Sequence, residues 1–378
     1  VMKTTAEVII VGGGVVGNAA AYYLAKRGVE VIVLEGSDSI GHGGSSRNGG
    51  GVRQSGRDVR ELPYAIYGIK NIWPTLSEEL GVDVEYVRKG NLRLGLNEDH
   101  IKILEGLTAN AQGLGLDVTM VSAEEVKDIC PHLSDQVVGA SWCPTDGHAN
   151  PMKTTLAYFK RARELGVTFI SGAKVTAIKK IRGKARQVVV EDGTIFEGEH
   201  IILAAGYESR FVADSVGINI PMYPYFGSAI VTEAQPKMFD IMLGVATAEI
   251  YGHQCAHGSF VFGSGTGLEP TKKPDMDDLK LMSLEGSANC RGIMKYVPKL
   301  KDAKIVRTWG GWMDMTPDGV PVISPVEEVP GLIIACGMCG HGFGTAPAVG
   351  YMLSQMVVGE KTVCDLMPLR YDRFKSSL

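Results

Sequence analysis

The stretch from Glu7 to Glu35 constrains the fold more than any other part of the chain. It runs Glu-Val-Ile-Ile-Val into Gly12-x-Gly14-x-x-Gly17, crosses a helical pattern, and ends Val-Glu-Val-Ile-Val-Leu-Glu35. The β-branched run Val8–Val11 reads as a buried parallel strand, Asn18–Arg27 as an amphipathic helix and Val29–Leu34 as a second strand. Gly12 makes the turn, Gly14 lets a pyrophosphate approach the backbone, and Gly17 lets helix pack on strand. The helix N-terminus supplies free N–H groups and a positive dipole to the phosphates. Glu35 is placed to accept ribose hydroxyls. A glycine-rich loop alone is weak evidence of binding. One at a strand-to-helix junction, followed by an acid at the end of the next strand, predicts a dinucleotide site. An acid there, rather than a base, argues against a 2′-phosphate and leaves FAD or NAD.

Composition narrows the class. The 378 residues suffice for about two domains. Lys and Arg number 38 against 42 Asp and Glu, a net charge of −4, so there is no basic excess for nucleic acid or an anionic membrane. The 48 glycines exceed the ordinary share of about 7% without a collagen-like period, as expected of tight turns and backbone approaching a ligand. Seven scattered cysteines make no disulfide scaffold, and Cys336 with Cys339 is the only close pair, with no second pair or His pair at zinc spacing. No metal site is expected. No apolar run approaches the roughly 20 residues that span a bilayer, and the sequence opens on a strand without a charged leader. A soluble, cytoplasmic protein is the expectation.

Three further segments favour FAD over NAD. Gly41–Gln54 is rich in glycine and hydroxyls, which suits an extended dinucleotide needing many short-range donors. Gly172–Val175 and His200–Gly206 read as strands returning to the first sheet. Leu332–Cys336 reads as a strand running into Gly337–Gly350 and an apolar helix to about Val358, with Pro347 in its first turn. The positive end of that helix suits the negative charge of a reduced flavin.

On these residues the chain resembles the D-amino-acid-oxidase/sarcosine-oxidase superfamily of FAD enzymes, over essentially its whole length. The matching pieces are Gly12–Gly17 with Glu35, Ser45–Asn48, Ala204–Gly206, Thr316-Pro-Asp-Gly-Val-Pro321 and Gly340-His-Gly-Phe343. Ser141–Gly147, Arg307–Trp309 and Gly340–Gly350 most resemble the β subunits of hetero-oligomeric proline, hydroxyproline, opine and sarcosine enzymes. The resemblance implies an α/β, Rossmann-like FAD-binding domain from residues 1–80, 143–218 and 305–378. A discontinuous, mainly antiparallel-sheet substrate domain would come from 81–142 and 219–304. It implies non-covalent FAD held by Gly12, Gly14, Val15, Val16, Gly17 and Glu35. The next loop would add Gly44, Ser45, Ser46, Arg47, Asn48 and Gly49, and the middle of the chain Val175, Ala204, Ala205 and Gly206. Gly311, Gly337, Met338, Gly340, His341, Gly342, Phe343, Gly344 and Thr345 would complete the site. An FMN at a subunit interface, also non-covalent, is a second cofactor the resemblance allows.

The chemistry implied is hydride removal from a carbon bearing an amine, with the reacting carbon held about 3–3.5 Å from the flavin. Arg53, with its bidentate fork, is the first candidate to anchor a substrate carboxylate; the alternative is a surface or partner-subunit contact. If Tyr251–Gly258 is a strand, Tyr251, His253, Cys255 and His257 share one face, either toward the flavin or as an ordinary sheet surface. His341 resembles the family's flavin-contacting histidine. Tyr223, Tyr225, Phe226 and Trp312 line a cavity or fill the core. Cys336 and Cys339 are read as two small buried thiols rather than a redox pair.

The departures from the family pattern carry information. Gly311 stands where several oxidases attach FAD to cysteine, Gly344 where they place a carboxylate-binding lysine, Met313 where the glycine-oxidase type has arginine, and Pro151 where FMN hangs on a histidine. The oxygen-activating lysine of the oxidases should fall in Gly258–Gly267, which holds no lysine. The expectation is therefore a dehydrogenase β-type subunit acting on a secondary-amine amino acid and passing electrons to partner subunits. The alternatives are a self-contained glycine, sarcosine or D-amino-acid oxidase, and a flavin-bearing subunit without chemistry of its own.

Overall fold

The structure, a computed structural model, describes residues 3–264 and 285–377. Strand Thr5–Val11 lies inside the first sheet, whose path runs Val322–Pro325, Leu332–Cys336, Ile195–Leu203, Thr5–Val11, Val31–Leu34, Thr168–Ile170. All neighbours on this path are parallel except Val322–Pro325, which runs antiparallel at the edge. A hairpin of Val175–Ile181 and Lys184–Val190 attaches to the start of Ile195–Leu203. Val8–Val11, Val31–Leu34, Ile201–Leu203 and Leu332–Cys336 are buried because helices or the hairpin cover both faces, which explains their unbroken apolar runs.

On one face, helix Val15–Lys26 packs against helices Pro151–Glu164 and Gly342–Val357. The approach to Gly342–Val357 is close: a Cβ built on Gly350 would stand 2.6 Å from the Ala19 Cβ. Burying a leucine such as Leu24 or Leu353 in this layer contributes roughly 1.5–3 kcal/mol. The first strand pairs with Val31–Leu34 on one side and Ile195–Leu203 on the other, so the strand order reverses there and opens a crevice at the carboxyl ends.

The second sheet also has eight strands, in the order Ile305–Met315, Tyr223–Ala234, Ser259–Ser264, Ile250–Gln254, Met242–Val245, Asn91–Gly95, Gly139–Cys143, Thr119–Ser122. Every pairing is antiparallel except that of Met242–Val245 with Asn91–Gly95. Its own core centres on Phe260, Phe262, Ile230 and Leu92.

Three sequence expectations need correction. Gly172–Val175 is not a strand: Gly172 turns with φ +70°, between Thr168–Ile170 and Val175–Ile181. Residues 305–315, expected in the first unit, form a strand paired along its length with Tyr223–Ala234 in the second sheet. Pro347 lies inside its helix, because that helix already begins at Gly342. Pro151, by contrast, is the first residue of Pro151–Glu164, where its missing N–H costs nothing.

Candidate active site

The crevice at the ends of Thr5–Val11, Val31–Leu34 and Ile195–Leu203 opens into a cavity of about 1500 Å³ whose far wall is the second sheet. Its first part is lined by Gly12, Gly14, Val15, Val16, Glu35, Ser45, Val175, Ala204, Ala205 and Gly206. The turn demands glycine. A Cβ on Gly12 would stand 2.3 Å from the Ala204 carbonyl oxygen, and one on Gly17 2.0 Å from that of Gly12, so Gly17 packs behind the wall. The Glu35 carboxylate accepts hydrogen bonds from Gly13 N (2.8 Å), Ser37 N (2.8 Å) and Ser37 Oγ (2.6 Å). With about four lone-pair sites, it retains room for a ribose hydroxyl. Val15 N donates to Ser45 Oγ at 2.8 Å, and the next N–H groups of the helix have no intrahelical acceptor. No acid sits in that first turn, so the helix mouth suits a pyrophosphate.

Gly44, Arg47, Asn48, Gly311, Met338, Gly340, His341, Gly342 and Phe343 line the rest of the same cavity. Arg47 packs along Gly311, where a Cβ would stand 2.9 Å from its Cδ, and its carbonyl accepts Trp309 Nε1 at 3.0 Å. Other expected cofactor residues stand behind the wall. Ser46 Oγ donates to the His42 carbonyl oxygen (2.9 Å), and Gly49 N donates to the Tyr251 hydroxyl (3.1 Å). Gly337 N donates to Asp314 Oδ2 (2.7 Å), Gly344 packs on Gly51–Arg53, and Thr345 Oγ1 donates to the His341 carbonyl oxygen (3.1 Å).

Arg53 lines the cavity with a guanidinium that makes no hydrogen bond or ion pair among the described residues. Desolvation, then the nearby Arg57, holds its pKa below the ordinary value. Arg57 is buried, donates Nε to the Arg53 carbonyl oxygen at 2.7 Å and faces Glu61 at 3.6 Å. Arg93, also buried, bonds among the described residues only the carbonyl oxygens of Val245 (3.1 Å) and Gly56 (3.2 Å), and burial pulls its pKa down to about 9. Three guanidiniums thus share two buried carboxylates, Asp146 and Glu61, which leaves a positive field at Arg53.

The Tyr251 face divides. Tyr251 lines the cavity. His253 is buried behind it, stacked on His148 with ring centroids 3.8 Å apart, and so is not presented to a ligand. The strand ends at Gln254, so His257 does not share the face: it is exposed in the turn that follows, where Gly258 N bonds the Cys255 carbonyl oxygen (2.9 Å). Of the aromatic set, Tyr223, Tyr225 and Trp312 line the cavity, while Phe226 packs edge-on against Trp312 at 4.9 Å. Cys336 and Cys339 are free buried thiols; Cys339 lines the cavity and donates Sγ–H to the Gly337 carbonyl oxygen at 3.0 Å. In Gly258–Gly267, residues 265–267 lie outside the described residues.

His341 meets a residue the sequence reading missed. Its Nδ1 stands 3.1 Å from both carboxylate oxygens of Glu61. Burial, with Arg57 nearby, holds the imidazole below its ordinary pKa. Burial would raise Glu61, yet His341 and Arg57 hold it below the usual carboxylate range. Glu61 precedes the helix that begins at Leu62 and lies 280 residues from His341, so nothing in the local sequence marks the pair. Asp314 was also missed. It lines the cavity, is pushed up to about 6 by burial, and stands three residues past Gly311 on the strand Ile305–Met315.

The family profile described as FAD dependent oxidoreductase matches residues 7–356. The hydrogen cyanide synthase subunit HcnC of Pseudomonas aeruginosa is 26% identical, covering 99% of this chain and 97% of the relative. The sarcosine oxidase subunit beta of Arthrobacter sp is 27% identical, covering 99% and 92%. The crystal structure of L-proline dehydrogenase from P. horikoshii superposes with a TM-score of 0.90 at 28% identity, covering 100% of this chain and 99% of that one.

Proposed function

The chain belongs to the FAD dependent oxidoreductase family, and from that premise we propose that it is the catalytic, β-type subunit of a dehydrogenase oxidising the C–N bond of a secondary-amine amino acid of the proline, hydroxyproline, sarcosine or opine type. The observation that carries this reading is the Arg53 guanidinium in the cavity, without a hydrogen-bond or ion-pair partner among the described residues and backed by Arg57 and Arg93. FAD would be held without a covalent bond by Gly12, Gly14, Val15, Val16, Glu35, Ser45, Arg47, Asn48, Ala204–Gly206 and Gly340–Phe343, and when bound would supply the acceptor for an electron pair and a proton. Arg53 binds the substrate carboxylate through two parallel N–H bonds. Tyr225, Tyr251, Trp312 and Met313 wall the remaining space and keep water from the reacting carbon. Gly311 offers no side chain for a covalent flavin bond, and the Pro151 ring no nucleophilic atom for a covalent FMN.

Two relatives named as subunits support a partner that receives the electrons. The lack of lysine in Gly258–Gly267 supports a dehydrogenase over an oxidase. The test is anaerobic bleaching of the FAD-loaded protein by glycine, sarcosine, hydroxyproline, L-proline and an opine, followed by admission of air. Bleaching by a secondary amine with slow reoxidation is expected. Immediate reoxidation with stoichiometric peroxide would make the chain an oxidase, and no bleaching by any of them would remove the catalytic assignment.

A further inference from the structure

Glu61 occupies a position that carboxylate binding at Arg53 does not require. It stands at the entry of helix Leu62–Asn71, 1% exposed, and His341 at the entry of Gly342–Val357. The two helices pack together, with a Cβ on Gly68 reaching that of Ala348 at 3.3 Å. The Glu61 carboxylate therefore sits by the positive ends of two helices. It also accepts the Tyr64 phenol at 3.3 Å and faces Arg57. Each of these favours the anion. An ionised acceptor opposite Nδ1 fixes the ring: Nδ1 carries the hydrogen, and Nε2 is left as an acceptor. His341 lines the cavity, and its Nε2 has no hydrogen-bond partner among the described residues.

We propose that Glu61 is a positioning residue that, through Nδ1 of His341, holds Nε2 toward the cavity to take one proton from the substrate's ammonium group. The proposal rests on the amino-acid reading of the cavity. The step is proton transfer alone. The substrate N–H bond breaks with its electron pair staying on nitrogen, and the Nε2 lone pair binds the proton. The positive charge moves onto a ring already paired with a carboxylate, and the free amine that remains is the form able to give up hydride from the adjacent carbon. The other charged or titratable groups near the pair are Arg53, Arg57, Tyr64 and Cys339. Both arginines disfavour the imidazolium, so Glu61 alone among them makes it accessible.

The test compares wild type with Glu61→Gln by nitrogen NMR of labelled histidine, assigned with His341→Asn, and by the pH profile of flavin bleaching with sarcosine and L-proline. The expected wild-type ring is the Nδ1–H tautomer. In E61Q the tautomers mix, the His341 titration and the acid limb of bleaching move to lower pH together, and the plateau rate falls about 100-fold. Glu61→Asp restores part of the rate. An Nε2–H tautomer in the wild type overturns the proposal even if E61Q does not fold. So does a rate loss in E61Q with the tautomer and pH profile unmoved. If neither probe bleaches the wild type, the amino-acid reading fails, while the NMR result still decides whether Glu61 sets the ring.

Discussion

Gly344 and Gly51 touch through their backbones: a Cβ built on Gly344 would stand 2.8 Å from the Gly51 carbonyl oxygen and 3.1 Å from the Val52 Cα. The first buried turn of Gly342–Val357 thus rests on the two-residue strand that leads to Arg53. This contact explains in physical terms why a lysine is not accommodated at 344. A side chain there would push apart the helix entrance and the guanidinium's own backbone.

Gly344→Ala is expected to destabilise the protein by roughly 1–3 kcal/mol, the usual cost of overpacking against backbone that cannot yield. The displaced strand should also loosen Arg53. Chemical denaturation measures the first effect, and the binding of acetate, read from flavin absorbance, measures the second. An alanine variant as stable as wild type would mean the helix shifts freely.

Glu35 is held by Gly13 and Ser37 before any ligand arrives. Its geometry is therefore set in advance, and little ordering is needed on binding. Glu35→Gln keeps one acceptor oxygen but loses the charge-assisted bonds. The expected result is FAD affinity lower by about 10–100-fold, since hydrogen bonds to charged groups are worth roughly 1.5–3 kcal/mol. Fluorescence titration of the apoprotein with FAD checks it. Unchanged affinity would show that Glu35 serves only the loop at Ser37.

For Arg53, the two replacements separate charge from fork. Arg53→Met should raise KM for the amino acid by about 100-fold or more, because a buried charge pair loses one member. Arg53→Lys restores charge without bidentate geometry and should recover only part of this. FAD content should be unaltered in both. If KM is unchanged in the methionine variant, the carboxylate is held elsewhere.

The glycine turn was legible because its spacing is local: Gly12, Gly14, Gly17 and Glu35 lie within one strand–helix–strand unit, although the backbone that excludes a side chain at Gly12 is that of the distant Ala204. The strand Leu332–Cys336 was legible for the same reason. The face beginning at Tyr251 was read one turn too far. Alternation gives the faces of a strand but not its end, and here Cys255 and Gly258 close a turn that carries His257 into solvent. Glu61 lies 280 residues from His341 and Asp314 lies 23 from Gly337. Pairings of this kind come from the packing of two helices or the end of a strand against a loop, and no periodicity in the chain announces them.

His148 and His253 yield the remaining prediction, on acid stability. Their rings stack at 18° between planes, buried between the strand Gly147–His148 and the second sheet, and His148 Nε2 pairs with the Asp240 carbonyl oxygen at 3.1 Å. Burial pulls His148 down to about 4 and His253 well below its ordinary value, with a charge on His148 adding to the cost for His253. Both are neutral in the native state. Between about pH 6.5 and 4 the unfolded chain binds protons that the native His148 refuses, so stability is whole above 6.5 and falls as the pH drops. The loss from His148 alone is of order 3 kcal/mol across that window. Asp314 works in the opposite sense: its raised pKa, about 6, favours the native state at low pH and withdraws that support as pH rises between about 4 and 6. Replacing His148→Phe keeps a ring in the stack but removes the proton site, so its denaturation free energy should fall less steeply on acidification than that of wild type. An equally steep fall in the variant would place the acid sensitivity at another group.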